Sequence, residues 1–176
     1  MRGPLGGQPE RSTVGRERIV LPILHLMCGL PGAGKTTLAR ELEQRHNALR
    51  LTPDEWITQL LGSEPSQQAL DAARTPTEEL QWKVAARVLT LGIDVILDFG
   101  FWSREEREHF REQAKALGAG SIVHFVDVPM PVLQARLAAR HDDRPANTFI
   151  VTPAQLQEWS ALFVRPTPDE LVPRIV

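Results

Sequence analysis

Gly29-Leu30-Pro31-Gly32-Ala33-Gly34-Lys35-Thr36 satisfies the pattern G-x-x-x-x-G-K-[ST] in full. Each residue type there has a physical purpose. Glycines let the backbone curl so that successive N–H groups point inward, forming a concave donor surface for anionic oxygens. A helix opening directly after the loop adds the positive end of its dipole. Lys35 then reaches the β- and γ-phosphates of a nucleotide, and the Thr36 hydroxyl takes one place in a Mg²⁺ shell. The flanks fit this reading, with Ile23 to Cys28 as a buried strand and Lys35 to His46 as a helix. We therefore read Leu30, Pro31, Gly32, Ala33, Gly34, Lys35, Thr36 and Thr37 as a cradle for ATP, with Lys35 also acting in catalysis. Cys28, just before the loop, reads as a small buried strand residue.

Downstream, short apolar runs alternate with helical patterns. Ala48 to Leu51 is a second strand, and Thr52-Pro53-Asp54-Glu55 opens a helix, with Thr as N-cap, Pro at the first position and Glu closing a capping box. A polar stretch from Ser63 to Thr75 separates it from a helix of about Pro76 to Leu91. Ile93 to Asp98 is the third strand, and Ser103 to Leu117 a charged helix with a second capping box at Ser103 and Glu106. Ile122 to Val128 is the fourth strand, Val132 to Arg140 a helix, and Thr152-Pro153-Ala154-Gln155 caps the last helix. Leu171 to Val176 reads as a fifth, edge strand, the one place where Pro173 is tolerated. This order predicts a three-layer α/β fold with a mostly parallel five-stranded sheet and right-handed crossovers. Ligands of such sheets gather beyond the carboxyl ends of the strands, so Gly29 onward, Thr52 to Trp56 and Asp98 to Trp102 converge.

Composition narrows the class. The 176 residues suit one domain, read here as 19–176, with 1–18 as a disordered lead-in because six of those eighteen are Gly or Pro. Apolar runs are too short to span a bilayer, and no signal core follows Arg2, so a cytoplasmic protein is expected. Twenty basic against 22 acidic residues give a net charge of -2, which disfavours a long nucleic acid as partner. One cysteine and five scattered histidines offer no metal-binding constellation, and the His141-Asp142 pair lacks the supporting ligands of a phosphohydrolase. Asp98, at the end of an apolar strand, has the position of an acid that binds Mg²⁺ and hydrogen-bonds Thr36, although a strand-end Asp also suits a turn. Asp98-Phe99-Gly100 spells D-F-G, but the other protein-kinase motifs are missing and that reading is rejected.

The phosphate loop, Leu51-Thr52-Pro53-Asp54-Glu55-Trp56, Val95-Ile96-Leu97-Asp98-Phe99-Gly100-Phe101-Trp102 and the segment Arg136 to Arg144 occur in an order that resembles the small P-loop kinase-like ATP-binding proteins. That group includes polynucleotide 5′-kinases, zeta-toxin-type kinases and antibiotic phosphotransferases. The resemblance implies a P-loop NTPase fold and transfer of the ATP γ-phosphate to a hydroxyl of a small-molecule or nucleotide-type acceptor. It implies that Asp54 contacts the acceptor hydroxyl, while the helix dipole alone would also favour an acid there. It also implies that Arg140 and Arg144 sit in a lid over the nucleotide, with Arg136 on the same face if the helix continues. Arg104 and Arg107 follow the Trp102 turn, within reach of an anionic substrate or on a solvated helix. Trp56 and Trp102 suit either substrate stacking or packing, whereas Trp82 and Trp159 read as core. The expected cofactors are ATP and Mg²⁺, the expected state is a monomer, and the acceptor is open, an oligonucleotide end included. The alternatives are an ATP-hydrolysing switch and a nucleotide-binding module without an acceptor.

Overall fold

Period-2 alternation along the central strand β1 (Ile23–Cys28) divides its side chains between two layers. Leu24, Leu26 and Cys28 enter one apolar cluster and Met27 another. The computed structural model describes residues 21–62, 65–143 and 149–175. The chain continues through α1 (Lys35–His46), β2 (Leu49–Leu51), α2 (Pro53–Leu61), α3 (Gln67–Thr90), β3 (Val95–Gly100), α4 (Arg104–Ala116), β4 (Gly120–Phe125), α5 (Met130–Asp143) and α6 (Pro153–Leu162). The sheet order is β2-β3-β1-β4, with every neighbouring pair parallel.

Three layers result. On one face α1 lays Ala39 and Leu42 against Met27 and Ile96. On the other, Ala85 and Leu89 of α3 and Ala114 of α4 cover Leu24, Leu26, Val95 and Leu97. A third cluster, Ala33, Leu133 and Leu156, fastens α5 and α6 beside the phosphate loop. Between Leu26↔Leu97 and Cys28↔Gly100, β3 carries one residue more than β1, so the strand kinks where Asp98 reaches its end. No described helix is long and apolar enough to cross a membrane.

Several expectations need correction. The sheet has four strands among the described residues, not five. The segment expected as the fifth makes one antiparallel bridge, between Arg174 and Ser121. Pro173 lacks the N–H a ladder needs, and side chains pin the segment instead. The polar stretch before Pro76 is not a loop from residue 67 onward; Ser66 caps α3 by accepting from the Ala69 N–H, and Pro76 lies inside the helix. Thr52 makes no side-chain cap, because its hydroxyl is engaged elsewhere. Ser103 does cap α4, but Glu106 accepts from the Trp102 N–H, so that box is displaced by one residue. At Thr152 the capping box is complete.

Arg107 is wholly buried and does not face a ligand. Its guanidinium donates twice to Glu170, at 2.7 and 3.2 Å, and to the Phe101 and Val164 carbonyls. Arg111, one turn on, donates to the Glu170 and Val172 carbonyls at 2.6 and 2.9 Å. These two arginines lock the C-terminal segment onto α4. Burial alone would push the Glu170 carboxyl up, but Arg107 and the Thr167 donors bring it down to about 2. A depressed carboxyl adds stability above its ordinary value of 4.5, and that stability is lost as pH falls towards 2. Replacing Glu170 with Ala strands the Arg107 charge in the core and should cost about 3–5 kcal/mol in urea unfolding at pH 7. Glu170→Gln should flatten the loss of stability between pH 4.5 and 2 seen for the parent chain.

Candidate functional site

The loop between β1 and α1 holds its curl through glycine at two positions above all. Gly29 has φ +147°, and a Cβ there would stand 2.8 Å from the Val126 carbonyl oxygen. Gly34, at φ 104°, is the N-cap of α1, a left-handed position that most side chains resist. Lys35 Nζ donates back across the loop to the Leu30 carbonyl at 3.0 Å. Arg136 of α5 grips the same loop from outside, donating to the Ala33 carbonyl at 2.9 Å and the Gly32 carbonyl at 3.3 Å.

Alternation along β3 brings its acid to the right helix. Ile96 packs on α1 through Ala39 and Leu42, and two residues on, Asp98 accepts from the Thr36 hydroxyl at 2.6 Å. Thr52 donates to the same oxygen at 3.4 Å and itself accepts from Arg50. Arg50 is braced by Glu43 and Glu55. Burial pushes the Asp98 carboxyl up, against the pull of Thr36, Lys35 and Arg50. Burial pulls the Lys35 ammonium down, while Asp98 and Asp54 hold it up and Arg140 repels it. The Thr36 hydroxyl and Asp98 carboxylate are a pair of hard oxygen donors, the set that suits Mg²⁺.

Asp54, half-buried in the first turn of α2, accepts from Arg74 of α3 at 3.0 Å. Arg74 also lies 3.8 Å from Glu78. Burial drives the Glu78 carboxyl up to about 7, with the charges of Glu106 and Asp54 adding to the effect against Arg74. The α3 helix therefore contributes a charged rim to the carboxyl end of the sheet.

Lys35, Thr36, Asp98 and Asp54 come together as the strand order requires, and Arg140 is near enough to act on Lys35. Arg144 lies outside the described residues. Arg50, Arg74 and Glu78 escaped the sequence reading, whereas Arg136, expected on one face with Arg140, instead holds the loop carbonyls. Arg74 was concealed by reading residues 67–75 as a loop, and Glu78 lay in the expected helix with no local signal that it meets Arg74. Trp56 packs on the main core, and Trp102 pairs with Trp159 at 5.5 Å between ring centres, so packing accounts for both. A cavity of about 460 Å³ adjoins the outer flank of the loop, lined by Leu30, Ala33, Phe125, Val128, Met130 and Phe163 among others.

The model of the AAA domain family matches residues 24–166, nearly the whole described fold. The chain is an AAA domain protein. No curated protein matches it. Solved structures similar to this AAA domain include a candidate kinase from Chloroflexus aurantiacus, 21% identical with TM-score 0.69, covering 84% of this chain and 83% of that one. A sugar kinase from Janibacter sp. is 21% identical with TM-score 0.58, covering 85% and 81%. A gluconokinase from Sinorhizobium meliloti is 18% identical with TM-score 0.58, covering 86% and 80%. At these identities the likeness is one of fold, that of P-loop kinase-like proteins.

Glu78 gives the AAA domain a pH signature. A carboxyl raised from 4.5 to about 7 favours the fold below pH 4.5 and loses that contribution as pH rises through 7. Glu78→Gln should therefore gain about 1–3 kcal/mol over the parent at pH 8 and little at pH 4.5, read from urea unfolding at both values.

Proposed function

We propose that this protein is an ATP-dependent phosphotransferase acting on a hydroxyl of a small-molecule or nucleotide-type acceptor. Asp54 carries the reading. It stands beyond β2 on the same side as Lys35 and Asp98, close enough to both to influence their charge. A hydrolytic switch has no need of a second carboxylate held there by a cation, whereas an acceptor hydroxyl does.

In this reading the loop N–H groups and Lys35 hold the β- and γ-phosphates, and the apolar cavity beside the loop takes the base. Thr36 and Asp98 would hold Mg²⁺, which neutralises phosphate charge when bound. Asp54, oriented by Arg74, accepts a hydrogen bond from the acceptor hydroxyl and aligns its oxygen with the γ-phosphorus. The new O–P bond forms as the bond from phosphorus to the β,γ-bridging oxygen breaks. ADP departs, and the hydroxyl proton passes to Asp54. In this reading Arg140, whose charge acts on Lys35, stabilises charge on the transferring group, and Arg144 is proposed with it. The kinase-class structures of similar fold support a phosphoryl acceptor.

An acceptor screen with labelled ATP, including oligonucleotides with 5′-hydroxyl ends, tests the proposal. ATP turnover that ignores every acceptor would replace it with the switch reading. Lys35→Ala should collapse turnover by several orders of magnitude. Asp54→Asn should keep Mg²⁺ and ATP binding while single-turnover transfer falls about 10²–10⁴-fold. Asp98→Asn should instead shift the Mg²⁺ dependence of nucleotide binding. If the two variants behave alike, the division of labour is wrong.

A further inference from the structure

Helix α1 meets the sheet through a stripe that is apolar in the middle and polar at both ends. Ala39 and Leu42 fill the middle, Thr36 meets Asp98 at the phosphate end, and His46 ends the helix at the other. Asp94 stands just before β3, two residues ahead of Ile96 and on the same side. His25 lies on β1 two residues before Met27, and His124 of β4 is the register partner of Met27. Three of the five histidines, scattered in sequence, thus converge with one carboxylate.

The contacts leave a gap between electron-rich atoms. His25 Nε2 is 3.7 Å from Asp94 Oδ2, and His46 Nδ1 is 3.5 Å from that oxygen. All three donor atoms lie within 4.8 Å of one another. His25 is 1% exposed, yet its Nε2 has no hydrogen-bond partner. Its Nδ1 is 2.8 Å from Nε2 of His124, and Asp94 Oδ1 accepts from the Ile23 N–H at 2.8 Å. When Nδ1 carries the His25 proton and donates to His124, Nε2 points a bare lone pair towards a carboxylate oxygen. When Nε2 carries it, the N–H stops short of a hydrogen bond at 3.7 Å. Neither tautomer satisfies the buried nitrogen.

A cation between these atoms would. We propose that His25, His46 and Asp94 bind one divalent transition metal of the zinc class at the amino-terminal end of the sheet. Bonds of about 2.0–2.1 Å in a tetrahedron set ligand atoms roughly 3.3 Å apart, close to the two gaps seen. Two imidazole nitrogens and a carboxylate are a zinc donor set, whereas Mg²⁺ and Ca²⁺ prefer oxygen alone. His124 orients buried His25 and the Ile23 N–H orients half-buried Asp94, as groups behind metal ligands do. His46, 36% exposed, gives the ion a way in and leaves a coordination position for water. The bound ion would tie the C-terminal end of α1 to β1 and β3.

The test uses the whole chain, stripped with chelator and titrated with ZnCl₂ by calorimetry in excess Mg²⁺, which occupies the Thr36–Asp98 end. One equivalent of zinc should bind, the melting temperature should rise by several degrees, and Co²⁺ should give tetrahedral visible bands. His46→Ala and Asp94→Asn should each weaken zinc at least about 100-fold, with Mg²⁺-ADP binding unchanged and His109→Ala behaving like the parent. Absence of saturable binding in the parent overturns the proposal, and so does retention of parental affinity in either variant. Should Asp94→Asn fail to fold, His46→Ala at the solvent-facing helix end decides alone.

Discussion

The hydrogen bond from Thr36 to Asp98 is the contact on which the site is built. It spans 2.6 Å between the first turn of α1 and the last residues of β3, and as a bond to a carboxylate it is among the stronger kinds. Its geometry holds only if helix and strand keep their relative depth, which Ala39 and Leu42 secure against Met27 and Ile96. Around it the backbone is forced. Gly29, Gly34 and Gly100 take positive φ, and so does Phe101 at 48°, a conformation costly for a bulky residue. Phe101 is 1% exposed, and its carbonyl accepts from Arg107, so packing and the buried arginine hold it there. The strained segment therefore depends on the same network that anchors the C-terminal segment.

The charges of the site are mutually unsatisfied in an informative direction. Burial disfavours the ionised forms of both Lys35 and Asp98. Anionic phosphate beside Lys35 and a cation beside Asp98 would each favour the charged form, so the site gains most when both arrive together. Arg50, half-buried against Glu43, Glu55 and Thr52, extends this pairing beside the site. A positive group held that firmly positions Thr52 and thereby the second hydroxyl on Asp98.

The phosphate loop, the strand ends and the acids behind them were legible because each rests on local rules. A glycine pattern, a capped helix start and a period of two place Lys35, Thr36, Asp54 and Asp98 without knowledge of the rest. The α3 rim was not legible. The run before Pro76 reads as a loop because a proline usually opens or breaks a helix, yet residues 67–75 start from the Ser66 cap and α3 packs on α2. The histidine cluster was hidden for a different reason. His25, His46 and His124 belong to three elements, and their meeting follows from the order β2-β3-β1-β4, which no spacing along the chain encodes.

The arginines show why residue type alone cannot separate structure from chemistry. Arg107 and Arg111 sit four apart on α4, hence on one face of a charged helix that reads as solvated. Here the same spacing runs along the buried face, with Ala114 one turn beyond. The two guanidiniums can be buried there because the Glu170 carboxylate and four carbonyls supply acceptors in place of water. All of them but the Phe101 carbonyl are far along the chain, so the helix cannot reveal its own inside until the tail has docked. Arg136, by contrast, keeps an exposed stem and spends its donors on two loop carbonyls. Carbonyls are weaker partners than a phosphate oxygen, so an arginine in that position can be drawn away by an anion. Arg107, paired with a carboxylate in the core, cannot. The distinction between the two is one of competing acceptors, and it is fixed by the fold.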